Sequence, residues 1–425
     1  MEKTRIAFQT LGCKLNYAET STYERGFTEY GLETVPWEEK ADVYLINTCS
    51  VTERAEKKCR NIIRKMHRVS PEAIIVIAGC YAELRKEELQ KIEGVSLVFG
   101  AKEKPRVVRD TMALLRGEEF KEIEPKETFA AFSSEERTRS FLKVQDGCNN
   151  FCAYCTVPFA RGRSRNIPIE EVIAQAEKIA ESGIKEVVIT GVNTGDFGRT
   201  TGETFLDLLK RLDKVEGIER YRISSIEPNL ITEEIINWIA SGTKFQPHFH
   251  IPLQSGSDTI LKRVGRRYDT AFFADRIDYI RSVMDPRPRE PGANLKPYVF
   301  FGIDVIAGLP GETDELFEET YNFLKDRVKP AFIHVFPYSR RPGTVAAGWK
   351  DQVKDSVKTE RVARLEELCR ELNTEFIEKN RGRHSQVLWE SDVKDGKMGG
   401  YTGNYIRLER SYDPALVNMI EDTII

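Results

Sequence analysis

The chain has 425 residues, 31% of them charged, with a formal net charge of −3 and eight cysteines. That length fits two or three domains each burying its own core, and the near-neutral charge excludes a globally basic nucleic-acid binder while leaving local basic patches open to RNA. No apolar run approaches the ~18 residues that span a bilayer, and Met1-Glu2-Lys3-Thr4-Arg5 lacks a secretory core. A cytoplasmic protein with no membrane partner is expected, its cysteines serving as ligands or core rather than disulfides.

Residues 1–115 alternate short apolar runs with helical patterns. The runs Arg5–Phe8, Val43–Ile46, Ala73–Ala78 and Val95–Val98 are almost continuously apolar, as in strands covered on both faces. Helices are predicted at Ala18–Tyr30, Thr52–Arg68 and Ala82–Ile92, giving βαβαβα and a small doubly wound parallel sheet. Cys13, Cys49 and Cys80 each follow a strand. In a parallel sheet the strand carboxyl ends share one edge, where such folds bind ligands, so three thiols distant in sequence are predicted to converge. Cys59 and Cys369 instead share apolar helical faces with neighbours three and four residues away and are predicted to be core. The other face of the Thr52–Arg68 helix, with Lys57, Lys58, Arg60, Arg64, Lys65 and Arg68, is predicted to be solvated. From 116 to 139 the chain turns acidic and aperiodic, as an inter-domain connector does.

Then comes Cys148-Asn149-Asn150-Phe151-Cys152-Ala153-Tyr154-Cys155. Three thiols are an odd number for disulfides, and structural zinc usually takes four ligands. They suit a [4Fe–4S] cluster with one iron left open. The motif resembles that of the radical S-adenosylmethionine (SAM) superfamily. The resemblance implies that the open iron chelates SAM, that an electron from the cluster splits SAM to a 5′-deoxyadenosyl radical, and that Tyr154 lies by the adenine.

From 140 to 352, βα units repeat. A helix is predicted at Ile169–Ser182 and another at Glu312–Val328, with strands at Glu186–Thr190, Tyr221–Ser224, Phe249–Leu253, Tyr298–Ile306 and Phe332–Phe336. With the run before the motif, six strands fit a partial (β/α)6 barrel whose active groups lie at the carboxyl ends. Those ends carry Thr190, Gly191 and Asn193, then Ser225 and Glu227, then Gln254, then Ile306. Small residues admit a cofactor against the backbone, and hydroxyls, amides and carboxylates can hold its ribose and amino group. By resemblance, the Thr190 turn meets the SAM amino group. Arg161, Arg163, Arg267 and Arg340 cluster beside the same edge, as expected for contact with RNA or another anionic substrate.

A helix at 353–382 leads to residues 383–425, which read as a small antiparallel β-barrel. Strands are predicted at Gln386–Trp389, Tyr405–Leu408 and Leu416–Ile420, with turns at Asp395-Gly396, Gly399-Gly400 and Thr402-Gly403. Gly400-Tyr401-Thr402-Gly403-Asn404-Tyr405 resembles the TRAM domain, an OB-like RNA-binding module, and Tyr405 is its candidate RNA contact.

A three-cysteine α/β domain, a radical SAM barrel and a TRAM-like domain, in that order, resemble the methylthiotransferases. Thr10-Leu11-Gly12-Cys13-Lys14-Leu15-Asn16, Asn47-Thr48-Cys49-Ser50-Val51-Thr52 and Gln145-Asp146-Gly147-Cys148 are most similar to the MtaB branch, which acts on threonylcarbamoyl-adenosine next to a tRNA anticodon. The resemblance implies two [4Fe–4S] clusters, one held by Cys148, Cys152 and Cys155 and one by Cys13, Cys49 and Cys80. It also implies two SAM molecules, one methyl donor and one radical source, and methylthiolation at adenine C2. A flavodoxin-like or ferredoxin-like reductant, a sulfur donor and tRNA are the implied partners. Isopentenyl-adenosine tRNA and a ribosomal-protein aspartate are alternative substrates, and a non-catalytic iron–sulfur redox sensor that binds RNA is the non-enzyme alternative.

Overall fold

The structure is a computed structural model describing residues 3–50, 53–120, 128–133, 138–199, 201–287 and 296–425. The first strands are β1 (Arg5–Thr10), β2 (Glu33–Val35), β3 (Val43–Thr48), β4 (Ile74–Gly79) and β5 (Val95–Phe99), all parallel in the order β2-β1-β3-β4-β5. Alternate strand residues face opposite layers. Ile6, Val43, Leu45 and Val76 meet Tyr23 and Phe27 of α1 (Lys14–Glu29) and Met112 of α5 (Val107–Arg116). Ala7, Tyr44, Ile46, Ile75 and Ile77 meet Cys59, Ile62, Ile63 and Met66 of α2 (Glu53–Val69). The expected doubly wound sheet is thus present, and its strand order reverses direction between β1 and β3.

Three local expectations change. The helix predicted at Ala82–Ile92 is two short ones, α3 (Cys80–Leu84) and α4 (Lys86–Gln90), because Arg85 leaves the helical region at φ −139°, ψ 39°. The edge strand β2 and helix α5 escaped the sequence reading. The connector is not all loop: Ala131 is buried and Phe132 pairs antiparallel with Leu142. Thr52, the predicted start of a helix, and Glu122, Glu124, Glu127, Glu135 and Glu136 lie outside the described residues.

The central units supply β6 (Arg139–Lys143), the two-residue pair β7 (Gln145–Asp146) and β8 (Arg165–Asn166), β9 (Glu186–Thr190), β10 (Arg220–Ile223), β11 (His248–Gln254), β12 (Phe300–Ala307) and β13 (Phe332–Pro337). The intervening helices are α6 (Val157–Arg161), α7 (Ile169–Glu181), α8 (Phe205–Leu212), α9 (Glu233–Ala240), α10 (Asp258–Arg263), α11 (Thr270–Met284) and α12 (Asp314–Asn322), which continues as a π-helical turn through Val328. The six long strands form two parallel three-stranded sheets, β6-β9-β10 and β11-β12-β13. A single bridge (Tyr221 to Phe245) and the Ile226 N–H bonding to the His250 carbonyl join them.

Helix α13 (Asp355–Asn380) buries Leu365, Leu368, Cys369 and Leu372 against the barrel. Strands β14 (His384–Lys394), β15 (Lys397–Thr402), β16 (Arg407–Ser411) and β17 (Ile420–Ile424) form an antiparallel sheet in the order β16-β15-β14-β17. Gly399 and Gly400, read as a turn, lie inside β15, because β14 passes so close that a Cβ on Gly400 would stand 2.7 Å from the Leu388 carbonyl and the Trp389 ring. The strand predicted at Tyr405–Leu408 starts only at Arg407, because Tyr405 is left-handed at φ 65°. The one predicted at Leu416–Ile420 is a 3-10 turn followed by β17.

Candidate active site

Cys13 caps α1, Cys49 follows β3 and Cys80 opens α3 directly after β4. All three stand at the carboxyl edge of the sheet, beside its switch point, where ligands bind in this topology. Gly12, at φ 109°, brings the backbone next to Cys13 so close that its missing Cβ would lie 3.0 Å from the Cys49 sulfur. Burial pushes the Cys80 thiol up, with Arg161 and Lys104 opposing it.

The second set lies at the carboxyl end of the barrel. The Asn150 N–H donates to the Cys148 sulfur at 3.4 Å, and Arg266 Nη1 donates to the Cys152 sulfur at 3.3 Å. Burial pushes Cys155 up to about 12 and raises Cys148 as well. Bare thiols held protonated make poor nucleophiles, whereas a metal takes the proton's place. Cys152 is buried and Cys148 and Cys155 are half-buried, and the first two already receive N–H donors, which fits iron–sulfur ligation; of the first set Cys49 and Cys80 are buried while Cys13 is exposed. All eight cysteines are free. Cys59 and Cys369 are buried core residues as expected, the latter accepting from the Ile333 N–H.

The strand-end residues gather beside this second set. Gln145 braces them: its Oε1 accepts from the Val192 and Asn193 N–H groups at 2.9 Å, while its amide donates to the Gly147 carbonyl. The turn starting at Thr190 and Gly191 is thereby tied to the cysteine loop. Ser225 accepts from Thr194, and the Asn193 amide oxygen accepts from the Glu227 N–H. Burial raises the Glu227 carboxyl, against the pull of Arg266, which bonds both its oxygens at 2.6 Å. Gln254 is buried at φ 73° at the end of β11. Tyr154 and Ile306 pack on one apolar cluster with Leu309 and Tyr338.

The arginines are not the uniform rim expected. Arg161 is buried, donating to Asn16 (2.6 Å), Asp146 (3.0 Å) and Glu19 (3.2 Å), so it ties the first cysteine domain to the barrel and cannot meet RNA. Arg340 is exposed but donates to the Ala347 carbonyl. Its neighbour Arg341 is the one buried, against Ser50 and Glu56. Arg163 and Arg267 are exposed beside the cysteine loop, the first 5.8 Å from the Phe151 ring and the second donating to the Asn149 carbonyl. Tyr405 is not on an outer face: its ring packs on His248, Phe300 and Tyr401 over the barrel floor. Gln145 and Glu19 went unread as site residues, and Arg266, expected beside the barrel mouth with the other arginines, binds Glu227 and the Cys152 sulfur instead. A clue to Gln145 was its place three residues before Cys148, but a partner across the fold decides each role.

A partial parallel barrel with three cysteines at its carboxyl edge defines a radical SAM enzyme. Residues 142–324 match the Radical SAM superfamily and 5–100 match "Uncharacterized protein family UPF0004". Among solved structures, a radical SAM methyltransferase, TsrM from Kitasatospora setae, shares the fold at TM-score 0.58 and 13% identity, covering 81% of this chain and 77% of that one. The threonylcarbamoyladenosine tRNA methylthiotransferase MtaB of Bacillus subtilis is 40% identical, covering 95% of this chain and 89% of its own. Its Aquifex aeolicus counterpart is 37% identical over 96% of each chain. A tRNA-2-methylthio-N(6)-dimethylallyladenosine synthase of Carboxydothermus hydrogenoformans is 31% identical, covering 92% and 90%. The chain belongs to the radical SAM methylthiotransferases. It is an enzyme transferring sulfur-containing groups, with SAM and iron–sulfur as its cofactors.

Proposed function

We propose that the protein methylthiolates C2 of N6-threonylcarbamoyladenosine next to a tRNA anticodon. The observation that carries the reading is the pair of three-thiol sets at the carboxyl edges of two parallel sheets, joined through Arg161. The 40% identity to a relative named for that substrate favours it over the isopentenyl-type relative at 31%. In this reading Cys148, Cys152 and Cys155 hold one [4Fe–4S] cluster and Cys13, Cys49 and Cys80 the other. When bound, SAM and the clusters would supply a carbon-centred radical, a methyl group and sulfur, which an unactivated adenine C–H bond requires.

The chain's own residues bind and orient. The Gln145-braced turn at Thr190, Gly191 and Asn193, with Ser225, Glu227 and Gln254, offers polar groups for the amino-acid and ribose ends of SAM. Tyr154 and Ile306 offer an apolar wall for its adenine. Arg163 and Arg267 face solvent where tRNA phosphates would pass, and residues 383–425 act as a TRAM-like RNA module. A flavodoxin-like or ferredoxin-like reductant and a sulfur donor complete the cytoplasmic system.

The test is an anaerobic assay of reconstituted protein with SAM, reductant, sulfide and two tRNAs, one bearing threonylcarbamoyl-adenosine and one isopentenyl-adenosine, read by nucleoside mass spectrometry. A methylthio mass gain on the first alone is expected; gain on the second alone would overturn the substrate. Replacing Cys13, Cys49 or Cys80 by alanine is expected to abolish thiolation while leaving 5′-deoxyadenosine formation largely intact. Cys152→Ala should abolish both.

A further inference from the structure

Inside the barrel lies a cavity of about 900 Å³, walled by Phe141, His248, His250, Phe300 and His334 and floored by Tyr401 and Tyr405, with Lys14 on its edge. Its size and aromatic lining suit a planar ligand of nucleoside size. Two cations bordering it are already neutralised. Arg139 pairs with Glu390, and Arg222 binds Glu186 through two nitrogens and the carbonyls of Thr402 and Gly403. Asp304 is engaged by His250 at 2.6 Å. Lys14 differs: among the described residues its ammonium makes no hydrogen bond or ion pair. A second group is also unspent, since His248, only 9% exposed, leaves its Nδ1 without a partner.

Both groups point to a ligand. His250, Asp304 and His334 come close enough to hold a metal ion, but the unpaired Lys14 on the same cavity opposes a cation and favours an anion. Lys14 also follows Cys13 directly, so an anion paired with it would be anchored beside the sulfur-bearing set. A threonylcarbamoyl group has a free carboxylate, whereas an isopentenyl group is neutral and apolar. We propose that this cavity receives the substrate base with its N6 substituent, and that Lys14 reads the carboxylate of that substituent. The inference rests on the threonylcarbamoyl reading above and names a specificity-determining residue within it. Of the arginines expected to contact an anionic substrate, Arg267 donates to the Asn149 carbonyl and Arg340 to the Ala347 carbonyl.

The test measures binding of anticodon stem-loop RNAs to reconstituted protein without SAM, by fluorescence anisotropy under nitrogen. The RNAs carry threonylcarbamoyl-adenosine, its carboxyl methyl ester, or plain adenosine. Wild-type protein is expected to bind the acid about 10- to 100-fold more tightly than the ester, the range of one charge-assisted contact. Lys14→Gln, at unchanged iron content, should bind acid and ester alike, at the wild-type affinity for the ester, and Lys14→Arg should recover part of the difference. A wild type indifferent to esterification overturns the inference without any variant. So does an acid preference that survives Lys14→Gln, or an equal weakening for all three RNAs, which would make Lys14 a phosphate contact. If the wild type methylthiolates threonylcarbamoyl tRNA yet binds the acid and its ester alike, only this inference falls. If it modifies no such tRNA, the substrate reading itself falls.

Discussion

Glu19 is fully buried and faces Lys104 (2.7 Å), Lys143 (2.8 Å) and Arg161 (3.2 Å), while Asp146 shares Lys143 and Arg161. Burial alone would raise the Glu19 carboxyl, but Lys104, Lys143 and Arg161 outweigh it and hold it well below the usual carboxylate range. Removing one partner of a buried ionic network leaves charges unpaired, at a cost of about 3–5 kcal/mol. Glu19→Gln should lower the urea unfolding free energy by that order. The sign with pH follows: a folded pKa below the unfolded value of 4.5 gives stability that is complete above that pH and lost as pH falls beneath it. Glu19→Gln should lose this acid dependence. His334 works in a higher window. Burial first, then His250 and Lys14, bring it from 6.5 to about 4, so the folded state refuses a proton that the unfolded chain accepts. Stability should therefore fall as pH drops from 6.5 towards 4, and His334→Gln should flatten that slope in urea titrations of iron-free protein.

At the scale of elements, the C-terminal sheet is tied to the barrel by hydrogen bonds, ion pairs and ring packing, and Arg222 and Asn404 anchor its turn. Arg222 of β10 donates to the Thr402 and Gly403 carbonyls while binding Glu186, and Asn404 donates to the Tyr298 carbonyl and Asn380. Arg222→Ala strips the buried Glu186 of its two-nitrogen partner and removes both bonds to the turn. Limited proteolysis should then cut between 380 and 384 at least about tenfold faster, because that site's protection depends on local opening. Retained native resistance would show that the ring packing of Tyr405 on His248 and Phe300 suffices.

For the molecule as a whole, two sheets must keep their cysteine edges in register, and Arg161 and Arg341 bridge them from opposite ends of the barrel sequence. In the proposed function, SAM cleavage needs only the barrel set, whereas transfer needs both. Arg341→Gln, which leaves Glu56 and Ser50 without their cross-unit cation, should spare 5′-deoxyadenosine formation within about twofold and cut methylthio product about tenfold or more, the usual cost of misplacing reacting groups. Equal loss of both products would show that Arg341 supports the barrel rather than the register.

Strand and helix types, the parallel sheets and the placing of Cys13, Cys49, Cys80, Cys148, Cys152 and Cys155 were legible in the chain itself, because apolar periodicity and the residue after a strand are local properties. Where the reading missed, the deciding partner was distant. The α3–α4 break at Arg85 and the strand hidden in Gly399-Gly400 depend on packing neighbours rather than on propensity. Arg161 looked like an RNA contact until the fold set it against Glu19, 142 residues away, and the fold sets the Tyr405 ring against His248 on the barrel cavity rather than on an outer face. Lys14 carried no signal at all, since an ammonium is paired or unpaired only with respect to what the tertiary structure brings within reach. The sequence by itself thus determined the elements and placed the candidate cysteines at the ends of their strands. Tertiary structure alone decided which charges are spent on holding the units together and which is left for a substrate.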